Sequence, residues 1–520
     1  MQSNLSKIVI VGGGSAGWLA AGLIAAKYEG RSSDQGLSVT LIESPDIKTL
    51  GVGEGTWPSM RRTLQRIGLK ETDFINQCDA SFKQGTEFYN WRSDSTSCYT
   101  HPFTPPMSFD DINPAEAFLT MPNDSRFDQT TCLQATLFEN NQAPKQITAP
   151  EYAGAVNYGY HLDAGKFSEI LKKHCIESLE VRHVSANVTS VIGKPNGDIQ
   201  HLETDGAGQI EEDLFIDCSG MQGLLINQHY GIDFVDRSGC LFNNRAIAAQ
   251  VPYREADAPI ASCTRATAQA AGWIWDIGLP TRRGIGYVFS SNHVSDHKAE
   301  ATLRSHIASN GNPDVAGHIE TRTISFNPGH RAQFWHKNCV ALGMAAGFIE
   351  PLEASALVLV ELGASLIADE LPPNRAAIDR ISHRFNERFL YRWDRIIDFL
   401  KLHYVLSTRT GAYWQDHRDA QSASSTLLEA IEQWHFRPPW HHDSYHVDEM
   451  FPAASYQYIL YGMGFDQSQR LPTRRGQREA IDQSLRIFQS VQKQAKTLKA
   501  AMPTNRALLQ KIHQYGLGTV

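Results

Sequence analysis

The sequence predicts an α/β body followed by a largely helical C-terminal module, on three observations. A β-branched run, Lys7-Ile-Val-Ile-Val11, leads directly into Gly12-x-Gly14-x-x-Gly17 and then an Ala/Leu-rich segment. Short apolar runs recur at 38–43, 214–217 and 339–343, the texture of buried parallel strands. After Pro372-Pro373 the period changes to that of helices. At 520 residues the chain is long enough for two or three domains. The simplest division is a discontinuous nucleotide-binding body over 1–370, with a covering loop at about 93–157, and a helical module over 371–520.

Taken in order, residues 7–11 predict a strand, 18–27 a helix and 38–43 a second strand, completing a βαβ unit. Residues 93–125 are rich in Pro, Asp, Ser and Thr with no clear period, which predicts a long loop of the kind that forms lids or binding elements. Asp163 is placed to cap a helix running to about 177. Residues 181–192, the turn Pro195-Asn-Gly-Asp198 and a strand through Leu202 predict a hairpin. Asn374 can cap a long helix, because Ile378, Ile381, Phe385, Phe389, Trp393, Ile396 and Leu400 recur at helical spacing. There is no internal repeat.

Composition excludes several functional classes. Basic residues number 48 against 56 acidic, a net charge of −8, so no global basic field draws the chain to nucleic acid or anionic membrane. Eight cysteines, none in a CxxC pair, argue against a disulfide framework or a Cys-rich zinc site. The first motif begins at Lys7, leaving no room for a removable leader. The longest apolar stretch, 347–368, is interrupted by Glu350, Glu353 and Glu361, each costly in a bilayer. The expectation is a cytoplasmic protein with reduced thiols.

The glycine motif follows a strand, opens a helix and precedes an acidic residue at the end of a second strand. That context identifies a dinucleotide site. Gly12 permits the tight turn, Gly14 lets the backbone approach a pyrophosphate, and Gly17 allows close helix–strand packing. The helix start at Ser15 and Ala16 offers unpaired N–H groups to the phosphates. Glu43 would accept hydrogen bonds from the adenosine ribose. It lies beyond the usual spacing of about 20 residues, which the polar insertion at 29–36 explains. The motif alone does not separate NAD from FAD. No second GxGxxG unit exists, so an FAD at this site must draw its electrons from elsewhere.

Several separated segments together resemble the flavin-dependent halogenases of the tryptophan halogenase family. They are Gly12-Gly-Gly-Ser-Ala-Gly-Trp18, Gly51-Val-Gly-Glu-Gly-Thr-Trp-Pro58, Ser81-Phe-Lys-Gln-Gly85, Tyr160-His-Leu-Asp163, Asp217-Cys-Ser-Gly220, Gly272-Trp-Ile-Trp-Asp-Ile277 and Gly347-Phe-Ile-Glu-Pro-Leu-Glu353. They occur in the family's order across most of the chain. The resemblance implies a monooxygenase-like FAD-binding fold with a helical substrate-binding module. It implies reduced FAD delivered by a separate flavin reductase, which accounts for the missing nicotinamide motif. Oxygen and a chloride or bromide ion then yield hypohalous acid, which reaches a lysine beside an electron-rich aromatic substrate such as tryptophan, another indole or a phenol. A homodimer is compatible with this reading.

By the same resemblance Lys83 is the catalytic lysine. An ammonium there can polarise hypohalous acid, and a neutral amine can form a haloamine. Glu353 is the second catalytic residue, able to stabilise or deprotonate a cationic arenium; Glu350 competes for that role. The amides of Ser355 and Ala356 fall where the family binds halide. There the chain reads Glu-Ala-Ser-Ala, not the Glu-Ser-Thr-Gly of the tryptophan enzymes. Gly53 and Gly343 join Gly12, Gly14, Ser15, Ala16, Gly17 and Glu43 as cofactor-binding residues.

Trp273 and Trp275 match a Trp-x-Trp-x-Ile-Pro signature with Gly278 in place of proline. They are expected to wall the flavin off from substrate, a role that alternating aromatics on a core strand would equally satisfy. His101 and Phe103 resemble the aromatic clamp around the substrate ring. His435, His441, His442 and His446 cluster, but Pro438-Pro439 and the lack of an HExxH-type acid predict no metal site. Two alternatives remain. A flavin hydroxylase on the same fold is disfavoured by Met344 after Gly343, where hydroxylases usually carry Asp. A non-catalytic flavin-binding protein is disfavoured by Lys83 and Glu353.

Overall fold

Strand Lys7–Val11 lies inside a six-stranded sheet, flanked by Leu214–Asp217 and Ser38–Glu43. The order continues to Cys339–Ala341 and Trp335–His336 on one side and Arg182–Ser185 on the other. Pairing is parallel throughout except at the edge hairpin Trp335–His336. The computed structural model describes residues 5–30, 32, 36–47, 53–310, 312–467 and 474–518. Gly51 and Val52 of the second family segment therefore lie outside the described residues.

The mixed α/β class read from the sequence is the one observed. The chain forms two compact units, Met1–Ala80 with Leu162–Arg237 and Phe326–Trp393, and Ser81–His161 with Ser238–Ser325 and Asp394–Val520. The chain passes between units several times, not once near residue 370. Strand pairing is the reason, since it joins segments far apart in sequence.

In the first unit the βαβ element forms as expected. Helix Ser15–Ala25 follows the glycine turn with its residues 17–24 buried, packed on helices Ala164–Ser178 and Ser355–Asp369. The Asp163 carboxylate caps Ala164–Ser178 by accepting from the amides of Gly165 and Lys166 at 3.0 and 3.1 Å. The hairpin also forms, Val188–Gly193 against Ile199–Thr204. Arg182–Ser185 departs from that hairpin and pairs in parallel with Ser38–Glu43, extending the main sheet. Asn374 accepts from the Ala377 amide at 3.2 Å at the start of helix Arg375–Val405, within which the unit boundary falls.

Helix Ser355–Asp369 buries a carboxyl group. Glu361 accepts from Ser59 at 3.1 Å and Thr63 at 2.5 Å, and burial pushes its pKa up to about 7 despite both bonds. In the unfolded chain it titrates near 4.5. Below that pH both states are protonated and nothing is lost. Between 4.5 and about 7 only the folded state holds the proton, so stability falls as pH rises. Glu361→Gln removes the titration and keeps a hydrogen-bonding side chain. Its stability relative to the parent should be small at pH 5 and grow to at most about 3 kcal/mol by pH 8. Urea midpoints of the two proteins across that range check this.

The second unit is built on a seven-stranded sheet ordered Thr321–Ser325, Arg245–Pro252, Arg282–Phe289, Gly272–Gly278, Thr264–Gln269, Gly85–Tyr89, Cys98–Pro102. Only the pairing of Thr264–Gln269 with Gly85–Tyr89 is parallel. The region expected to be a loop thus contains an edge strand, Cys98–Pro102, and the short helices Ala115–Phe118 and Phe127–Thr131. Helices Ser425–Trp434, Ala453–Gly462, Gln477–Ala501 and Asn505–Tyr515 supply the helical C-terminal texture. Among the described residues no helix is long and apolar enough to cross a membrane.

Candidate active site

In the first unit the glycine loop shows distinct constraints at each position. Gly12 has φ +119°, and a β-carbon there would lie 2.2 Å from the Cys218 carbonyl oxygen, so only glycine fits. A β-carbon at Gly17 would lie 1.8 Å from the Gly12 oxygen, which is the close helix–strand approach. At Gly14 the backbone is extended and a β-carbon would meet nothing within 4 Å. Gly14 is therefore not needed by the fold, and its bareness leaves room for a group to approach the backbone.

The helix that starts at Ser15 has no side-chain cap. The Ser15 hydroxyl is engaged elsewhere, with the Ala164 oxygen at 3.3 Å and Ser168 at 3.1 Å, so only backbone N–H groups of the first turn face outward. Glu43 lies against Gly13, its Oε2 accepting from Lys172 at 2.7 Å and meeting His183 Nε2 at 2.8 Å. Burial and the Lys172 charge hold the His183 pKa below its ordinary value. Gly343 packs on the same helix start, where an added β-carbon would be 2.7 Å from Ala16. Asp217 is fully buried and accepts from the Leu225 and Ile226 amides at 2.8 and 2.9 Å, fixing the turn after the strand that flanks Gly12. Bare backbone, an uncapped helix start and a carboxylate at the second strand end fit the adenosine diphosphate half of a dinucleotide.

The same unit contains the Glu353 turn. Glu353 (φ 64°) and Ala354 (φ 55°) are consecutive non-glycine residues in the left-handed region, each costing about 1–2 kcal/mol. Such strain persists only where the surroundings enforce it, and it concentrates at functional sites. One enforcing contact is Trp57 Nε1, which donates to the Glu353 carbonyl at 2.7 Å and ties the turn to the Gly53–Gly55 segment. Glu353 is 7% exposed and Glu350 1%, so burial does not distinguish them. Ser355 and Ala356 open helix Ser355–Asp369, which also lacks a side-chain cap.

In the second unit Lys83 is 1% exposed, at the end of the three-residue strand Ser81–Lys83. Its amine lies 5.3 Å from the centroid of the Phe103 ring. Phe103 is held there by its amide, which donates to the Gln84 oxygen at 2.9 Å. Gly85 permits this approach: its φ is +153° and a β-carbon would be 2.3 Å from the His101 oxygen. His101 is buried, with Nε2 2.9 Å from the Ser455 hydroxyl and its ring 5.7 Å from Phe399. Phe399 stacks on Phe451 at 3.7 Å and meets Tyr456 edge-on at 5.0 Å. The structure thus brings Lys83 to Phe103, with His101 two residues earlier against Ser455 and Phe399.

Trp273 and Trp275 occupy a wholly buried central strand, with ring centroids 6.4 Å apart. Trp275 covers Gly286 on the neighbouring strand so closely that a β-carbon there would be 2.1 Å from the indole. Both belong to the sheet core, as the core-strand reading expects. Among the described residues no group of three His, Cys, Asp or Glu side chains is placed to hold a metal ion.

The tryptophan halogenase family model matches residues 7–477 of this sequence. The chain belongs to the tryptophan halogenase family. A solved tryptophan halogenase from Shewanella frigidimarina NCIMB 400 is 47% identical, with a TM-score of 0.95 and coverage of 100% of both chains. Tryptophan 6-halogenase SttH from Streptomyces toxytricini is 32% identical, over 89% of this chain and 90% of its own. Tar14, a tryptophan C-6 flavin-dependent halogenase from taromycin biosynthesis, is 31% identical with a TM-score of 0.88, covering 97% and 100%. This tryptophan halogenase family member is accordingly a flavin-dependent halogenase.

Two groups beside the expected residues of this halogenase were not found by sequence reasoning. One is the Phe399, Phe451 and Tyr456 cluster next to His101. The other is His161, which is fully buried and whose pKa is held well below its ordinary value, first by burial and then by the Lys83 charge. Its position in the Tyr160-His-Leu-Asp163 segment was the available signal.

Proposed function

We propose that this chain takes reduced FAD from a separate flavin reductase and, with oxygen and chloride or bromide, halogenates tryptophan or a closely related indole through Lys83. The observation that carries the reading is Lys83 itself. A long cationic side chain only 1% exposed, with its amine 5.3 Å from an aromatic centroid, is rare in a fold and suited to chemistry.

The bare Gly14 backbone, the first-turn amides at Ser15, Ala16 and Gly17, and Glu43 would hold the adenosine diphosphate half of FAD, with Gly12, Gly53 and Gly343 shaping its surroundings. When bound, FAD supplies the oxygen activation that converts halide to hypohalous acid. The Ser355 and Ala356 amides would hold the halide. Oriented N–H groups after a left-handed turn suit an anion.

At Lys83 the ammonium donates to the oxygen of hypohalous acid and weakens the oxygen–halogen bond. The ring's electron pair takes the halogen, and the departing hydroxide takes the lysine proton and leaves as water. Glu353 accepts the proton that the arenium loses, restoring aromaticity. Solvent exchange then returns both side chains to their starting charge. Phe103 and His101 would hold the ring by offset stacking, and Trp273 and Trp275 would wall it from the flavin. Eight free cysteines suit a reducing cytoplasm.

The test supplies FAD reduced by an unrelated flavin reductase, bromide, and a panel of tryptophan, tryptamine, indole and a phenol. Bromotryptophan as the preferred product supports the reading. Turnover of the phenol alone would overturn the indole assignment.

A further inference from the structure

We propose that His161 is the positioning residue of Lys83, acting through its Nδ1 nitrogen. The inference rests on the reading that Lys83 carries the halogenation. Strand Ser81–Lys83 pairs antiparallel with Gly159–Asp163 in the register Ser81↔His161, Phe82↔Tyr160, Lys83↔Gly159. Alternation along strands puts Ser81, Lys83 and His161 on one face, with His161 the diagonal neighbour of Lys83. Phe82 points to the other face, where its ring meets Tyr158 and Tyr160.

The Ser81 hydroxyl donates to the Gly278 oxygen at 2.5 Å. His161 Nε2 lies 2.8 Å from the Thr264 hydroxyl. His161 Nδ1 is buried and has no hydrogen-bond partner among the described residues. A buried imidazole nitrogen without a partner is costly, and nothing in the sheet requires it. Burial and the lysine charge keep the ring neutral, so one nitrogen donates and the other accepts. Beside an ammonium the favoured tautomer has Nε2–H donating to Thr264 and the Nδ1 lone pair on the lysine face. An acceptor there, reached through a water, holds one ammonium N–H bond. The amine is thereby kept from swinging freely over Phe103.

The two amide replacements separate this role from a structural one. Asparagine places a polar atom near the Nδ1 position, and glutamine places one near Nε2. Each variant is assayed for kcat, KM for tryptophan, FAD affinity, melting temperature and hypobromous acid escaping to a scavenger. His161→Asn should retain kcat within about threefold of the parent, whereas His161→Gln should lose about tenfold or more in kcat at unchanged KM and release more free oxidant. Equal activity in both variants, or activity kept by glutamine and lost by asparagine, would overturn the proposal. If neither variant folds, Thr264→Val decides. Without its hydroxyl the ring is unbraced and kcat should fall about tenfold, and an unchanged kcat overturns the proposal. Lys83→Ala serves as the control. Activity there defeats the lysine reading itself, whereas an inactive control with fully active His161 variants defeats only the positioning role.

Discussion

Lys83→Met should abolish halogenated product while keeping the length and apolar stem of the buried side chain. On the proposed role the loss is catalytic, because the amine that would polarise the oxidant is gone. Removing one preorganised donor at a reacting centre typically costs about a hundredfold to a thousandfold in kcat. FAD affinity should be unchanged, since the Gly14 backbone and Glu43 that would hold its adenosine diphosphate half are untouched. Lys83→Arg should also be inactive, because a planar guanidinium is bulkier than the ammonium and does not form a haloamine. Flavin titration and product yield for the three proteins check these outcomes together.

Gly14→Ala should tighten the fold slightly and cripple cofactor binding. The Gly14 backbone is already in a conformation that alanine adopts, and the added methyl meets nothing within 4 Å. Restricting the unfolded chain should then stabilise the apoprotein by about 0.4–1 kcal/mol. The methyl would, however, occupy the space through which a pyrophosphate reaches the backbone, and FAD affinity should fall at least about thirtyfold, or ~2 kcal/mol. Gly12→Ala makes the contrast. Its β-carbon would sit 2.2 Å from the Cys218 oxygen at a φ of +119°, so that variant should lose stability as well. Isothermal titration with FAD alongside thermal melts separates the two positions. Equal FAD affinity for Gly14→Ala and the parent would remove the cofactor role assigned to this loop.

What the sequence made legible was local. The β-branched run, glycine turn and Ala-rich helix announce themselves within twenty residues, and Asp163 and Asn374 cap the helices they were expected to cap. The apolar stripe from Ile378 to Leu400 is buried, except that Ile381 is only partly covered. Family segments point to Lys83 and Glu353 because each is embedded in a short distinctive string.

What was hidden depends on pairing between distant residues. Cys98–Pro102 is an edge strand that ends in proline and is flanked by Ser and Asp, so it carries no alternating signal. Its register with Gly85–Tyr89 nevertheless sets His101 opposite Thr86 and brings Phe103 to Lys83. Ser81–Lys83 is too short to show a period, and its pairing with Gly159–Asp163 is what exposes His161 as a neighbour. Arg182–Ser185 read as part of a hairpin because its partner, Ser38–Glu43, is far away in the chain. Glu361 looked only like an interruption in an apolar run until Ser59 and Thr63 were placed against it.

The most direct test of lysine-borne, flavin-dependent halogenation is the mass spectrum of the aromatic product formed with reduced FAD, oxygen, bromide and tryptophan. It is recorded in parallel for the parent protein and for Lys83→Ala loaded with FAD to the same occupancy. The parent should give the bromine isotope doublet on tryptophan, and the variant unmodified tryptophan. Addition of oxygen in place of bromine would show a hydroxylase, and the same doublet from both proteins would show that bromination does not run through Lys83.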